Sequence, residues 1–288
     1  MNQIISELAK IYPQLYLNPD TVPKDRYREV VLQGAEPEPV SLSWYRTDAG
    51  DRDENVDTPV GKVRVLTFYK RSDFEYFLRS MMAVKDGPCT EIPKSQGAAT
   101  LVAFNWPRIR AHKQQFLKEQ HEAGILAPDW DSEWKRFSSV KENYQDLLVV
   151  LSVGPYSAIE ASEIGCGPEK WLELSQIIRK YHELTHVICR KIYPDRISAV
   201  WDELVADAIG LYAAYGFYDS SKAKLFLGIQ NGVFIHGRLD NYTASPEELT
   251  PQILRALDGI EQMIRDHQGE EPFALIPFLE SLQDEFQL

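Results

Sequence analysis

Two short stretches constrain this chain more than any others: Tyr181-His182-Glu183-Leu184-Thr185-His186-Val187 and Trp201-Asp202-Glu203-Leu204-Val205-Ala206-Asp207. With 3.6 residues per turn, His182 and His186 fall about 40° apart on one helical face, one turn above each other. Glu203 and Asp207 repeat the four-residue spacing in the next segment. Pro194-Asp195 lies between the two stretches, and a connection of that length lets two helices fold back antiparallel. The pattern therefore asks for a helical pair with a polar seam.

Helix signals support both members. Gly167-Pro168 opens the first, with proline near its first position, and the apolar periodicity runs to about Lys191. Asp195 or Ser198 can cap the second, which continues to Gly216. Further helices are expected over Ser221 to Gln230, Pro246 to Gln268 and Pro272 to Gln287, with no strands beyond about residue 160.

The N-terminal part reads differently. Asn2 to Tyr12 is helical in period, and Ser72 to Val84, Arg108 to Ala123 and Asp131 to Tyr144 follow suit. Strands are expected over Ser41 to Arg46, Lys62 to Tyr69, Ala99 to Trp106 and Asp146 to Val153. The acidic segment Thr47 to Thr58 reads as a mobile loop, with a lid or hinge as the lesser reading, and Asp86 to Gly97 as a loop punctuated by Gly and Pro. The expected class is α+β: a mixed α/β half with a small sheet, residues 1–160, packed on a helical half, residues 161–288. One interlocked domain fits equally well.

Bulk properties set the outer limits. The 288 residues carry a formal net charge of −12, which argues against a nucleic-acid surface. No apolar run reaches the ~20 residues of a membrane span, and Glu7 and Lys10 interrupt any signal-peptide core. Cys89, Cys166 and Cys189 are odd in number and contain no C-x-x-C pair, so a reducing cytoplasm is the expected setting. Cys189, three residues after His186, reads as a small core residue in preference to a ligand.

The helical seam has the composition of a catalytic metal site. Zinc in such sites takes three protein ligands and keeps one position for water. His182 and His186 supply two, and Glu203 is the best third. Asp207, one turn further on, can accept the spare N–H of a ligand histidine and fix its tautomer. Glu183 is left beside the metal as a general base. Zinc, one ion, is expected from the ligand types, although manganese, iron or cobalt accept the same set. A di-iron bundle needs two Glu-x-x-His motifs, and Glu183-x-x-His186 is the only one here.

His-Glu-Leu-Thr-His followed by Glu203-Leu-Val-Ala-Asp207 resembles the gluzincin group of zinc metallopeptidases, of which thermolysin is the familiar member. The resemblance spans about residues 168–216. It implies a zincin-like fold, His182, His186 and Glu203 as zinc ligands, Glu183 as general base and Asp207 as the residue behind a ligand. The sequence departs from that pattern in its slightly shorter ligand spacing, and in Arg179 and Lys180, where the extended signature prefers uncharged residues.

Amide hydrolysis also needs a donor for the charge that develops on the carbonyl oxygen. Residues 235–242 hold three of the right type: Arg238 and Tyr242 first, His236 second, with a loop held by an Arg–Asp contact as the equal alternative. Some gluzincins, the clostridial neurotoxin light chains among them, use an Arg and a Tyr downstream of the third ligand. Zincins also line the cleft with a strand that an extended peptide can join. Asp146 to Val153 is either that edge or a central strand. The expected function is a zinc-dependent hydrolase, a peptidase acting on peptide or protein. The alternatives are a zincin-like metal-binding regulatory module without proteolysis and a hydrolase of non-peptide amides.

Overall fold

The computed structural model describes residues 3–84, 87–195, 198–286 and 288. Asn2, Asp86 and Gln287, which bounded three of the expected segments, lie outside the described residues. The chain is mixed α/β, about 56% helix with a small mixed sheet. It divides into two compact units, one of Met1–Glu54, Leu66–Lys94 and Ala99–Ser152, the other of Asn55–Val65, Ser95–Ala98 and Val153–Leu288.

The first unit begins with α1 (Gln3–Ile11) and α2 (Lys24–Gln33), followed by the strands β1 (Arg52–Thr58) and β2 (Gly61–Phe68), whose tips count with the second unit. Next come α3 (Arg71–Met81), the two-residue strands β3 (Ala83–Val84) and β4 (Gly87–Pro88), β5 (Ala98–Phe104), α4 (Trp106–Glu122), α5 (Trp130–Ser138) and β6 (Gln145–Ser152). The sheet order is β1-β2-β6-β5. Its core joins Ile5, Leu8 and Tyr12 of α1 to Phe74, Phe77 and Leu78 of α3 and to Leu66, Leu101, Leu148 and Val150 of the strands.

Two expectations about this region are corrected, and one left open between an edge and a central strand is decided. Residues 41–46 form no strand; Leu42 and Tyr45 are instead buried from a turn closed by Tyr45 N–H on Leu42 O at 3.1 Å. The acidic segment 47–58 is not a free loop. Asp73 accepts from the Arg46 and Thr47 amides and Asp51 from those of Asp48 and Tyr69, and 52–58 is the strand β1. Its charges hid the strand because β1 is an edge whose side chains are mostly exposed, where charge guards against unwanted pairing. β6 is an interior strand and not an edge. Leu148 to Leu151 are all buried, as a strand covered on both faces requires.

The second unit continues with α6 (Ala161–Ile164), α7 (Pro168–Ile192), α8 (Ala199–Tyr215), α9 (Ser220–Leu227), the short hairpin β7 (Ile229–Gln230) and β8 (Val233–Phe234), α10 (Pro246–Asp266), α11 (Ile276–Glu280) and α12 (Gln283–Phe286). The hairpin departs from the all-helical expectation; its strands are too short to show a period. Pro168 and Glu169 start α7, and Arg190 and Lys191 face its negative end. Ser198 caps α8 by accepting from Trp201 N–H, and Gly216 ends it at φ 75°, a left-handed position suited to glycine.

α8 is buried almost all round, from Leu204 to Tyr212, so it forms the centre of this unit. α10 packs against α9, α11, α12 and β8 and adds Ile253, Ala256, Leu257, Ile260 and Ile264, one apolar stripe at helical spacing, to the same core. Where α7 meets α8, Gly210 leaves space for the Ile178 carbonyl. A Cβ there would stand only 2.7 Å from that oxygen. This close approach brings the polar faces of the two helices within hydrogen-bonding reach. Among the described residues no helix is long and apolar enough to cross a membrane.

Candidate metal centre

Descending α7 from Ile178, His182 faces Asp207 and His186 faces Glu203 and Asp202, so the two helices run antiparallel with their polar residues in register. The Nε2 atoms of His182 and His186 lie 3.0 Å apart, and each is 3.4 Å from a different oxygen of Glu203. A tetrahedral ion with bonds of ~2.0–2.1 Å keeps its ligand atoms about 3.3–3.4 Å apart. The two imidazole nitrogens and the Glu203 carboxylate thus lie close enough to share one ion, with their ligand atoms all within 4.8 Å of one another.

Protonation points the same way. His182 Nδ1 lies 2.9 Å from Asp207 Oδ1, and His186 Nδ1 lies 2.8 Å from Asp202 Oδ2. A carboxylate at Nδ1 calls for the N–H there, which leaves each neutral imidazole with its lone pair on Nε2. Two lone pairs and a carboxylate then converge on one point. Asp202, Glu203 and Asp207 against the single guanidinium of Arg238 leave two negative charges to be balanced. Such a donor set fits a divalent cation.

The titration behaviour reflects this demand for positive charge. Burial works against the protonated form of His186, but hydrogen bonds to Asp202 and Glu203 outweigh it and push its pKa up to about 10. Burial likewise tends to raise the Glu203 carboxyl, yet His182, His186 and Arg238 bring it down to about 2. Asp207 is held well below the usual carboxylate range, with Arg238 and His182 overriding the effect of its burial.

A residue from outside the helical pair completes the arrangement. Tyr156 is 4% exposed, and its hydroxyl donates to Asp207 Oδ1 at 2.6 Å, accepts from Arg238 Nη1 at 2.7 Å and lies 2.9 Å from His182 Nδ1. It is delivered by the turn at 154–158, in which Ser157 and Ala158 both adopt positive φ (52° and 58°). Non-glycine residues hold that conformation only when their surroundings impose it. Arg179 supplies part of that constraint. Its guanidinium donates to the carbonyls of Gly154 and Pro155 and sits over the Tyr156 ring, while Gly97 leaves it room. The charge that departs from the zinc-protease signature is thus buried against the turn.

The three proposed donors separate. Arg238 is 16% exposed and engaged with protein acceptors: Nη1 with Tyr156 and with Ser157 Oγ at 3.1 Å, Nη2 with Asp207 and with Glu203 Oε2 at 3.4 Å. It holds the residues behind the ligands. It reaches them because the backbones at Gly228 and Gly237 nearly touch; a Cβ on Gly228 would lie 2.4 Å from His236 O. Tyr242 is half-buried, its ring 6.0 Å from the Arg238 guanidinium, and its hydroxyl feels the charges of Arg238 and Glu203. His236 is not brought into the cluster. Its side chain is 88% exposed and paired with Asp240 at 2.9 Å, because the Gly228 contact turns the backbone there and sends Arg238 inward instead.

Glu183 lies on α7 between the two histidines and is half-buried. Among the described residues His182, His186 and Glu203 form the one group of such side chains placed to hold a metal ion. Asp202 and Tyr156 were missed as members. Asp202 carried a weak signal, adjoining Glu203 on a helix already facing the histidines, whereas Tyr156 was legible only as part of the Gly154-Pro155-Tyr156-Ser157 turn expected to line a cleft, with no sign of its bonds to Asp207 and Arg238.

A mixed α/β chain whose antiparallel helices unite two histidines and a glutamate is the class that fold and site define. The model of a family of unknown function, DUF7005, matches residues 14–266, and the chain belongs to that family. No curated protein and no solved structure matches it.

Proposed function

We propose that this protein is a zinc-dependent hydrolase of the gluzincin kind, acting as a peptidase on peptide or protein amide bonds. One observation carries the reading: His182, His186 and Glu203 bring three ligand atoms within 4.8 Å of one another, each histidine is backed by its own carboxylate, and Glu183 follows His182 in the same helix. His182, His186 and Glu203 would hold the ion. A zinc ion bound there lowers the pKa of its water toward ~7 and polarises a carbonyl.

The remaining chemistry belongs to the chain. Glu183 takes the proton of the attacking water and passes it to the leaving amine, as general base and then general acid. Asp207 and Asp202 fix the two imidazoles with Nε2 turned to the ligand position. Tyr156 and Arg238 hold Asp207 and keep its charge. Tyr242, with a hydroxyl near Glu203, is the donor best placed to meet negative charge on the substrate oxygen. A reducing, cytoplasmic setting belongs to the same reading, in keeping with three free cysteines.

A peptide-library digest by the zinc-loaded protein tests the proposal. Glu183→Gln should keep the metal and lose turnover by about 10²-fold or more, whereas Glu203→Ala should lose the metal itself. Full turnover by Glu183→Gln would refute the mechanism, and an inert wild type holding zinc would refute peptidase action.

A further inference from the structure

The two histidines of the centre are each backed by a carboxylate, but the two carboxylates differ in what answers their charge. Asp207 is 1% exposed, accepts from the Tyr156 hydroxyl and from Arg238 Nη2, and faces His182 Nδ1. Asp202 is 28% exposed, and its Oδ2 meets His186 Nδ1 at 2.8 Å. Among the described residues no lysine or arginine pairs with it; Arg238 reaches Asp207 and Glu203 instead. Asp202 also lines a half-open cavity, so dissolved ions reach it. Its place in the first turn of α8 favours a carboxylate there without neutralising it.

A carboxylate that only orients a ring could be replaced by any acceptor of the same shape. One whose charge is left unanswered does more, because it attracts a cation held on the far side of the imidazole. We infer that Asp202 acts on the metal by its charge, whereas Asp207, whose charge Arg238 answers, acts by holding His182 in place. Metal occupancy is then sensitive to ionic strength through Asp202, on the solvent side of the centre, and not through Asp207, on its buried side. The inference rests on the reading of His182, His186 and Glu203 as ligands. Asparagine at this position keeps an acceptor for the His186 N–H and removes the charge, so it separates the two roles.

The test is the zinc affinity of the full chain, by competition with a chromophoric chelator, at ~0.01 M and ~1 M salt, where the Debye length is ~30 Å and ~3 Å. The wild type is titrated first; if it takes up no zinc, the metal reading itself fails. Asp202→Asn should bind zinc about tenfold more weakly than the wild type at low salt. At high salt the two should agree within about threefold, because screening takes from the wild type what the substitution takes from the variant. Comparing the two proteins at each salt cancels the pull of the other charges. Tyr156→Phe, which removes no charge, should keep the same deficit at both salts. Cobalt(II) in place of zinc should give Asp202→Asn the visible spectrum of the wild type, since the three ligands keep their places. If Asp202→Asn does not fold, Asp202→Ser serves the same salt comparison. The inference is overturned if the variant matches the wild type at low salt, or if its deficit is the same at both salts.

Discussion

Replacing Tyr156 by Phe isolates the network behind the ligands. The change removes one hydroxyl and leaves the ring, which packs edge-on against Phe226 at 5.1 Å and against His182 at 5.9 Å. That hydroxyl links Asp207, Arg238 and His182. Hydrogen bonds to charged groups are worth about 1.5–3 kcal/mol each, so two of them set an upper bound near ~6 kcal/mol. The loss is smaller here, because Asp207 keeps Arg238 and His182, and Arg238 keeps Ser157 and Asp207. We expect about 2–3 kcal/mol of stability and a melting temperature lower by roughly 5 °C. With His182 less firmly oriented, zinc affinity should fall about tenfold, at the low end for residues that hold metal ligands. Competition with a chromophoric chelator measures that affinity, and a thermal melt of the metal-free protein measures the stability. If Tyr156→Phe binds zinc as tightly as the wild type, the hydroxyl does not orient His182 and the reasoning fails.

Two further perturbations follow from the same geometry. Gly210→Ala places a methyl group 2.7 Å from the Ile178 carbonyl, which belongs to helix backbone and cannot turn aside. The helices must part, costing about 1–3 kcal/mol by denaturant melt and weakening zinc, whereas unchanged values would show that the approach is not required. In the metal-free protein, Glu203 is depressed from 4.5 to about 2, so its contribution is fully present above the unfolded value and is lost as pH falls through the folded one. About 3 kcal/mol should therefore disappear between about pH 4.5 and 2, to which Asp207 adds in the same direction, and urea melts of Glu203→Gln should show a flatter acid limb.

What could be read from the chain, and what could not, divides by the range of the interaction. Pro168, Ser198 and Gly216 punctuate helices locally, so α7 and α8 were visible, and spacing alone placed the histidines on one face and Glu203 with Asp207 on the other. The part played by Arg238 depends on a hairpin of two-residue strands and on the contact of Gly228 with Gly237, which no local pattern encodes. The same loop shows why His236, a chemically suitable residue, faces outward. Tyr156 arrives through backbone strain at Ser157 and Ala158 that only the surrounding packing enforces. β1 was hidden for the opposite reason: its exposed, charged side chains have the composition of a loop, and only pairing with β2 makes them a strand. The continuous apolar run of β6 was compatible with an edge or a central strand, and its two neighbours in the sheet decide for the centre.

The central claim is that His182, His186 and Glu203 hold one metal ion. Elemental analysis of protein purified without added metal, repeated after chelation and zinc titration, tests it most directly. The account predicts about one equivalent of zinc per chain, retained by Glu183→Gln and lost by Glu203→Ala. A wild-type protein that is metal-free as isolated and takes up no zinc on titration would contradict it.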